Sequence, residues 1–180
     1  MIHHSIGTNM DFFITGYPRS KTAWLANWFT YLDSFCIHDG IEKGSMDRLR
    51  EIRGDVGSGV LIGNSDCGNC IWWKEFSDAF PKAKWVIVER DLNDVNKSIS
   101  EVTGYDEKSC IEVNGIFTKS LEEVKRHLNP FILPFDFNSE KLEELCQYLD
   151  VDFSLERYYT LRTLNIQVTK DRVSELLTQY

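Results

Sequence analysis

The stretch DFFITGYPRSKTAWLANWF, residues 11–29, constrains this chain most. A short apolar run ends at Gly16 and Pro18, and apolar residues then recur at Trp24, Leu25, Trp28, Phe29 and Leu32. The first pattern is that of a buried strand and the second that of an amphipathic helix, so a tight turn must join them. A buried strand feeding directly into a helix is the opening half of a βαβ unit, and the rest of the chain repeats the alternation. FCIH (35–38), GVLIGNSD (59–66), KWVIVERD (84–91) and FILPFDF (131–137) read as further strands. Helices are expected over 46–54, 71–80, from Asp91 or Asn93 to about Gly104, over 121–128, and over 139–149 with Ser139 as its cap. The expected fold is an α/β single-domain three-layer sandwich with a mainly parallel sheet.

At 180 residues, with no linker, repeat or low-complexity stretch, the chain reads as one domain over 1–180. A net charge of -8 disfavours nucleic acid and anionic membrane as partners, because both are held by clustered Lys and Arg. An anionic ligand would instead be gripped by a few placed cations. The sequence contains no apolar run near the roughly 20 residues that span a bilayer, and MIHHSIGTNMDFF lacks the order of a secretion signal, so a cytoplasmic protein is expected. Five cysteines, an odd number, suggest reduced thiols. CGNC (67–70) with Cys36 and His38 offers four possible zinc ligands, but without paired zinc-motif spacing.

In parallel sheets, ligands sit at the carboxyl ends of the strands, and the turn 17–21, Asp66 and Arg90 all follow strands directly. The turn partly fits the Walker form G-x-x-x-x-G-K-[ST], in which glycine lets the backbone wrap phosphates and the last two residues serve the terminal phosphate and magnesium. Two alignments compete. If Lys21 and Thr22 are the Walker lysine and hydroxyl, the turn suits a P-loop kinase using Mg-ATP. If Lys21 replaces the glycine, Ala23 stands at the metal-ligand position and offers no hydroxyl.

The second alignment resembles the 5'-phosphosulfate loop of the PAPS-dependent sulfotransferase family, T-Y-P-K-S-G-T-T-W-L. GYPRSKTAWL agrees at Tyr17, Pro18, Ser20, Thr22, Trp24 and Leu25, with Arg19 in place of the family lysine. WVIVERDLNDVNKSIS also supplies an arginine closing a strand and a serine eight residues later, Arg90 and Ser98, as the family does for the 3'-phosphate. FILPFDFNSEKLEELCQYLDVDF resembles the family's late strand, acidic loop and helix, so the resemblance runs over most of 11–153. The resemblance implies a P-loop NTPase/sulfotransferase-like fold, PAPS as donor and PAP as product, no metal, and a small-molecule or glycan acceptor. It implies a cofactor set of Tyr17, Pro18, Arg19, Ser20, Lys21, Thr22, Ala23, Trp24, Arg90 and Ser98. Arg162 would substitute for the family's R-K-G motif, which is missing here.

Sulfuryl transfer is mostly positioning and charge stabilisation. Arg19 would stabilise charge on the bridging oxygen electrostatically, since a guanidinium does not give up its proton. The family's catalytic histidine (K-T-H-L) has no counterpart: IGNSDCG places Asp66 or Ser65 there, with Asp66 the first candidate base and His38 beside Asp39 the second. The alternatives are the Mg-ATP kinase and a catalytically inactive PAP-binding protein. The acceptor pocket is expected from loops near 38–58 and 104–120.

Overall fold

The computed structural model describes residues 10–40, 59–164 and 166. Five strands, β1 (Phe12–Gly16), β2 (Ser34–His38), β3 (Leu61–Ser65), β4 (Lys84–Glu89) and β5 (Phe131–Pro134), form one parallel sheet in the order β2-β3-β1-β4-β5. Helices α1 (Thr22–Trp28), α2 (Trp73–Ala79), α3 (Leu92–Thr103), α4 (Glu107–Leu128), α5 (Ser139–Leu149) and α6 (Leu155–Thr163) surround it, and a 3-10 turn spans Cys67–Cys70.

Alternation along the central strands builds the three layers. Phe12 and Ile14 of β1, with Val86 and Val88 of β4, face a core completed by Trp24, Trp28, Leu142, Leu145, Tyr158 and Leu161 from α1, α5 and α6. Phe13, Trp85 and Ile87 face the opposite core with Phe76, Leu121 and Val124 from α2 and α4. Strand separation is held close where side chains vanish: a Cβ on Gly63 would lie 2.0 Å from the Phe12 ring, and one on Gly16 only 2.7 Å from the Val88 carbonyl.

The strand boundaries match the sequence reading to within a few residues, whereas three helical features differ. The segment 104–120, expected as a loop, is the first part of the 22-residue α4, capped by Asp106, whose side chain accepts from the Ser109 N–H at 2.8 Å. The cap of α5 is Asn138, which accepts from Lys141 N–H, and Ser139 is the first helical residue. The chain also turns into α6 around Tyr158 and Leu161, a helix not anticipated. The helix expected over 46–54 lies outside the described residues. Among the described residues, no helix is long and apolar enough to cross a membrane.

Candidate active site

The parallel register brings the carboxyl ends together. Gly16 pairs with Val88, Ile14 and His38 both with Ser65, and Glu89 with Pro134. The turn 17–21, Asp39, Asp66, Arg90 and Phe135 therefore share one rim.

Within the turn, Arg19 (φ 67°) and Lys21 (φ 60°) both adopt the left-handed conformation that non-glycine residues rarely take. Lys21 immediately precedes α1, whose first helical bond runs from Leu25 N–H to the Lys21 carbonyl and which has no side-chain cap. A left-handed residue just before the helix is where glycine would ordinarily stand, with Thr22 as first helical residue and Ala23 as second. The geometry therefore matches the alignment in which Lys21 replaces the Walker glycine. Nor does its side chain reach forward over the turn as a Walker lysine would: Nζ donates to the Phe135 carbonyl at 2.6 Å and lies 4.3 Å from the centre of the Phe135 ring and 4.9 Å from that of Phe137. Burial, then the neighbouring Arg162, lower its proton affinity, while Asp136 opposes the shift.

The turn and the Arg90/Ser98 pair are in direct contact. Arg90 Nη1 donates to the Arg19 carbonyl at 2.5 Å, and Arg19 Nε approaches Ser98 Oγ at 3.4 Å. The Arg90 guanidinium lies 4.1 Å from the centre of the Phe135 ring. Burial lowers the proton affinity of both arginines. Two polar atoms here are buried with no partner among the described residues, Ser20 Oγ and Arg90 Nε. Buried polar groups are ordinarily paired, so each is a donor awaiting an acceptor. Tyr17 is fastened from α4, its hydroxyl 2.9 Å from Thr118 Oγ1.

Trp24 does not face the turn. It is buried, stacks on Trp28 at 5.7 Å and donates its indole N–H to the Leu161 carbonyl at 3.2 Å, so its side chain belongs to the core. Its backbone lies in the first turn of α1, so any part it takes in the cofactor set is through its N–H group. Arg162, on α6, donates to the Tyr158 hydroxyl at 2.7 Å and to the Phe137 carbonyl at 3.4 Å. It thereby borders the Phe135–Phe137 segment that holds Lys21.

The two candidate bases have different settings. Asp66 is buried and caps the 3-10 turn, Oδ1 accepting from Gly68 N–H at 2.7 Å. One of its carboxylate oxygens is thus committed to structure. His38 Nδ1 lies 3.2 Å from Asp39 Oδ2, and Nε2 lies 3.4 Å from Thr22 Oγ1 at the start of α1. A carboxylate on one ring nitrogen orients the other toward the start of α1, an arrangement that suits a general base.

The cysteine turn is tied into the fold. Burial pushes Cys67 up to about 12 and Cys70 up to about 11, and pushes Cys36 up as well, so all three are neutral thiols at neutral pH. Thr15 Oγ1 donates to the Cys67 carbonyl at 3.1 Å and accepts from Cys70 N–H at 3.2 Å. Beside it Asn69 donates to the carbonyls of Ile14 (2.8 Å) and Asn64 (3.0 Å) and accepts from Asn64 Nδ2 at 2.7 Å.

Phe135, Phe137 and Thr118 are site residues the sequence reading did not single out. The F-D-F directly after an apolar run was the available signal for the first two; nothing local marks Thr118.

No protein-family model matches the sequence, and no curated protein matches it at a significant level. Solved structures do match the fold. A sulfotransferase from Alicyclobacillus acidocaldarius superposes with a TM-score of 0.61 at 15% identity, covering 82% of this chain and 83% of that one. Mouse sulfotransferase SULT7A1, complexed with PAP, gives a TM-score of 0.60 at 17% identity over 84% of this chain. This chain spans 63% of the mouse protein's length. The fold is thus that of the sulfotransferases, a parallel five-stranded sheet between helical layers.

Proposed function

We propose that the protein binds PAPS along this rim and transfers its sulfuryl group to a hydroxyl or amine of a small-molecule or glycan acceptor. The observation that carries this reading is the contact between the β1–α1 turn and the Arg90/Ser98 pair, beside which Ser20 Oγ and Arg90 Nε are buried and unpartnered. Two unsatisfied donors bordered by cations fit a ligand with phosphate groups at two positions.

PAPS supplies the sulfuryl group when bound, and PAP is what remains. The Ser20 hydroxyl and the backbone N–H groups at the start of α1 would hold the 5'-phosphate. Arg90 and Ser98 would hold the 3'-phosphate, and the Arg19 guanidinium would balance charge growing on the bridging oxygen. As the acceptor oxygen or nitrogen bonds to sulfur and the bridging S–O bond breaks, the acceptor proton passes to His38 Nε2. Asp39 then stabilises the charged ring. His38 is preferred over Asp66 because Asp66 is occupied in capping.

Calorimetry with PAP, and separately with ATP and magnesium, tests the donor class. PAP binding with no response to Mg-ATP is expected, followed by sulfuryl turnover on a panel of hydroxyl and amine acceptors. Binding of Mg-ATP alone would restore the kinase alternative. Binding of PAP without turnover on any acceptor would leave an inactive nucleotide-binding protein.

A further inference from the structure

The chain places a lysine side chain where the backbone would prefer glycine, and left-handed geometry at a non-glycine residue carries a conformational cost. That side chain is held in one place by the Phe135 carbonyl and two aromatic faces. Arg90 shares the Phe135 ring, and Arg162 is anchored at the Phe137 carbonyl and Tyr158 hydroxyl. All three cations are answered by carbonyls, a hydroxyl and ring faces. None has a carboxylate within ion-pair distance among the described residues.

Elsewhere on the molecule Lys84 and Arg157 also rest on carbonyls and rings, whereas other cations meet carboxylates. Lys125 lies 3.2 Å from both Glu89 and Glu122, Arg126 lies 2.7 Å from Glu123, and Lys141 pairs with Glu144. In a protein of net charge -8, three cations gathered around one F-D-F segment, with Asp136 acting on Lys21 and Asp94 on Arg90 but neither in ion-pair contact, leave a local excess of positive charge. Aromatic faces position a cation without neutralising it, so its field remains available to an incoming anion.

The geometry points to Lys21 as a specificity-determining residue: with Arg90 on the shared Phe135 ring, it selects a nucleotide bearing a ribose phosphate over one bearing only a 5'-phosphate. The inference rests on the donor binding proposed above. Arg90 borders Ser98 through Arg19 and shares the Phe135 ring with Lys21, so the Lys21 charge lies beside the pair that would hold the ribose phosphate in that reading.

The test is calorimetric titration of the full chain and its Lys21→Met and Lys21→Gly variants with PAP and with adenosine 5'-phosphate, each variant's folding being checked by circular dichroism and a thermal melt. Methionine keeps the packing over Phe135 and Phe137, and glycine relieves the left-handed strain. Both variants are expected to lose about tenfold in PAP affinity, in line with loss of one charge-assisted contact, while adenosine 5'-phosphate changes less than about twofold. Unchanged PAP affinity in folded variants would make Lys21 a mere fastener and overturn the inference, leaving the donor reading intact. An equal loss for both nucleotides would assign Lys21 to the 5'-phosphate and also overturn it. Failure of the unaltered protein to bind PAP would overturn the donor reading and the inference together.

Discussion

Two turns at the same rim treat their polar groups in opposite ways. The turn after β3 is satisfied: Asp66 caps Gly68, Thr15 bridges Cys67 and Cys70, and Asn69 ties itself to Ile14 and Asn64. The turn after β1 has left-handed backbone at Arg19 and Lys21, an α1 terminus with no side-chain cap, and a buried Ser20 hydroxyl with no partner among the described residues. Unmade hydrogen bonds and strain both cost stability, and they persist where another interaction recovers the cost. The β3 turn commits its polar groups to the fold, and the β1 turn leaves a buried hydroxyl that the proposed ligand would use.

Removing part of the satisfied turn should therefore damage the fold and spare binding. Asn69→Ala removes the acceptor of the buried Asn64 amide and empties a fully buried site, so chemical denaturation should show a loss of about 3 kcal/mol. PAP affinity measured on the folded protein should not change. Weakened PAP binding with undiminished stability would erase the contrast between the turns.

The proposed base, His38, closes β2 and reaches Thr22. His38→Gln keeps a side chain that can still reach Thr22 but cannot accept a proton in the reaction, and kcat should fall roughly a hundredfold with PAP affinity kept. Asp66→Ala should instead cost about 1 kcal/mol of stability through loss of the cap, with kcat within a few-fold of normal. A larger loss of kcat in the Asp66 variant would move the base to the β3 turn.

Arg90→Ala probes the seam between the β1 turn and α3. It removes a charge-assisted donor from the proposed ligand and one hydrogen bond from the Arg19 carbonyl, so PAP binding should weaken by about 2 kcal/mol in calorimetry. Equal PAP affinity would separate this arginine from the nucleotide.

The sheet was legible because its strands are buried on both faces and read as short apolar runs, FFI in β1 and VIV in β4. The early part of α4 was not, because its buried stripe includes Cys110 and Asn114, while Ile111, Val113 and Ile116 point to solvent. Apolar periodicity there misleads about the buried face. Ser139 and Asn138 are both competent caps, and only backbone geometry at Asn138 decides between them. Within the candidate site, the turn and the Arg90/Ser98 pair are visible as motifs because each is local in sequence. The latch between Lys21 and Phe135 spans 114 residues and carries no local pattern. The Trp24 side chain is likewise fixed from afar, by the Leu161 carbonyl on α6.

The smallest change tests the comparison most directly. Ser20→Ala deletes a single oxygen that, among the described residues, has no hydrogen-bond partner in a fully buried position. If the hydroxyl serves only an incoming phosphate, its removal takes away an unsatisfied group and keeps the Cβ packing, so unfolding free energy should stay level or rise by a few tenths of a kcal/mol. PAP affinity should fall by about 1 kcal/mol, the net value of one hydrogen bond. A structural hydroxyl gives the reverse pattern, in which stability falls and affinity does not. The two signs are opposite, so one denaturation curve and one titration on the same variant decide whether the β1 turn holds its polar groups in reserve or has spent them on the fold.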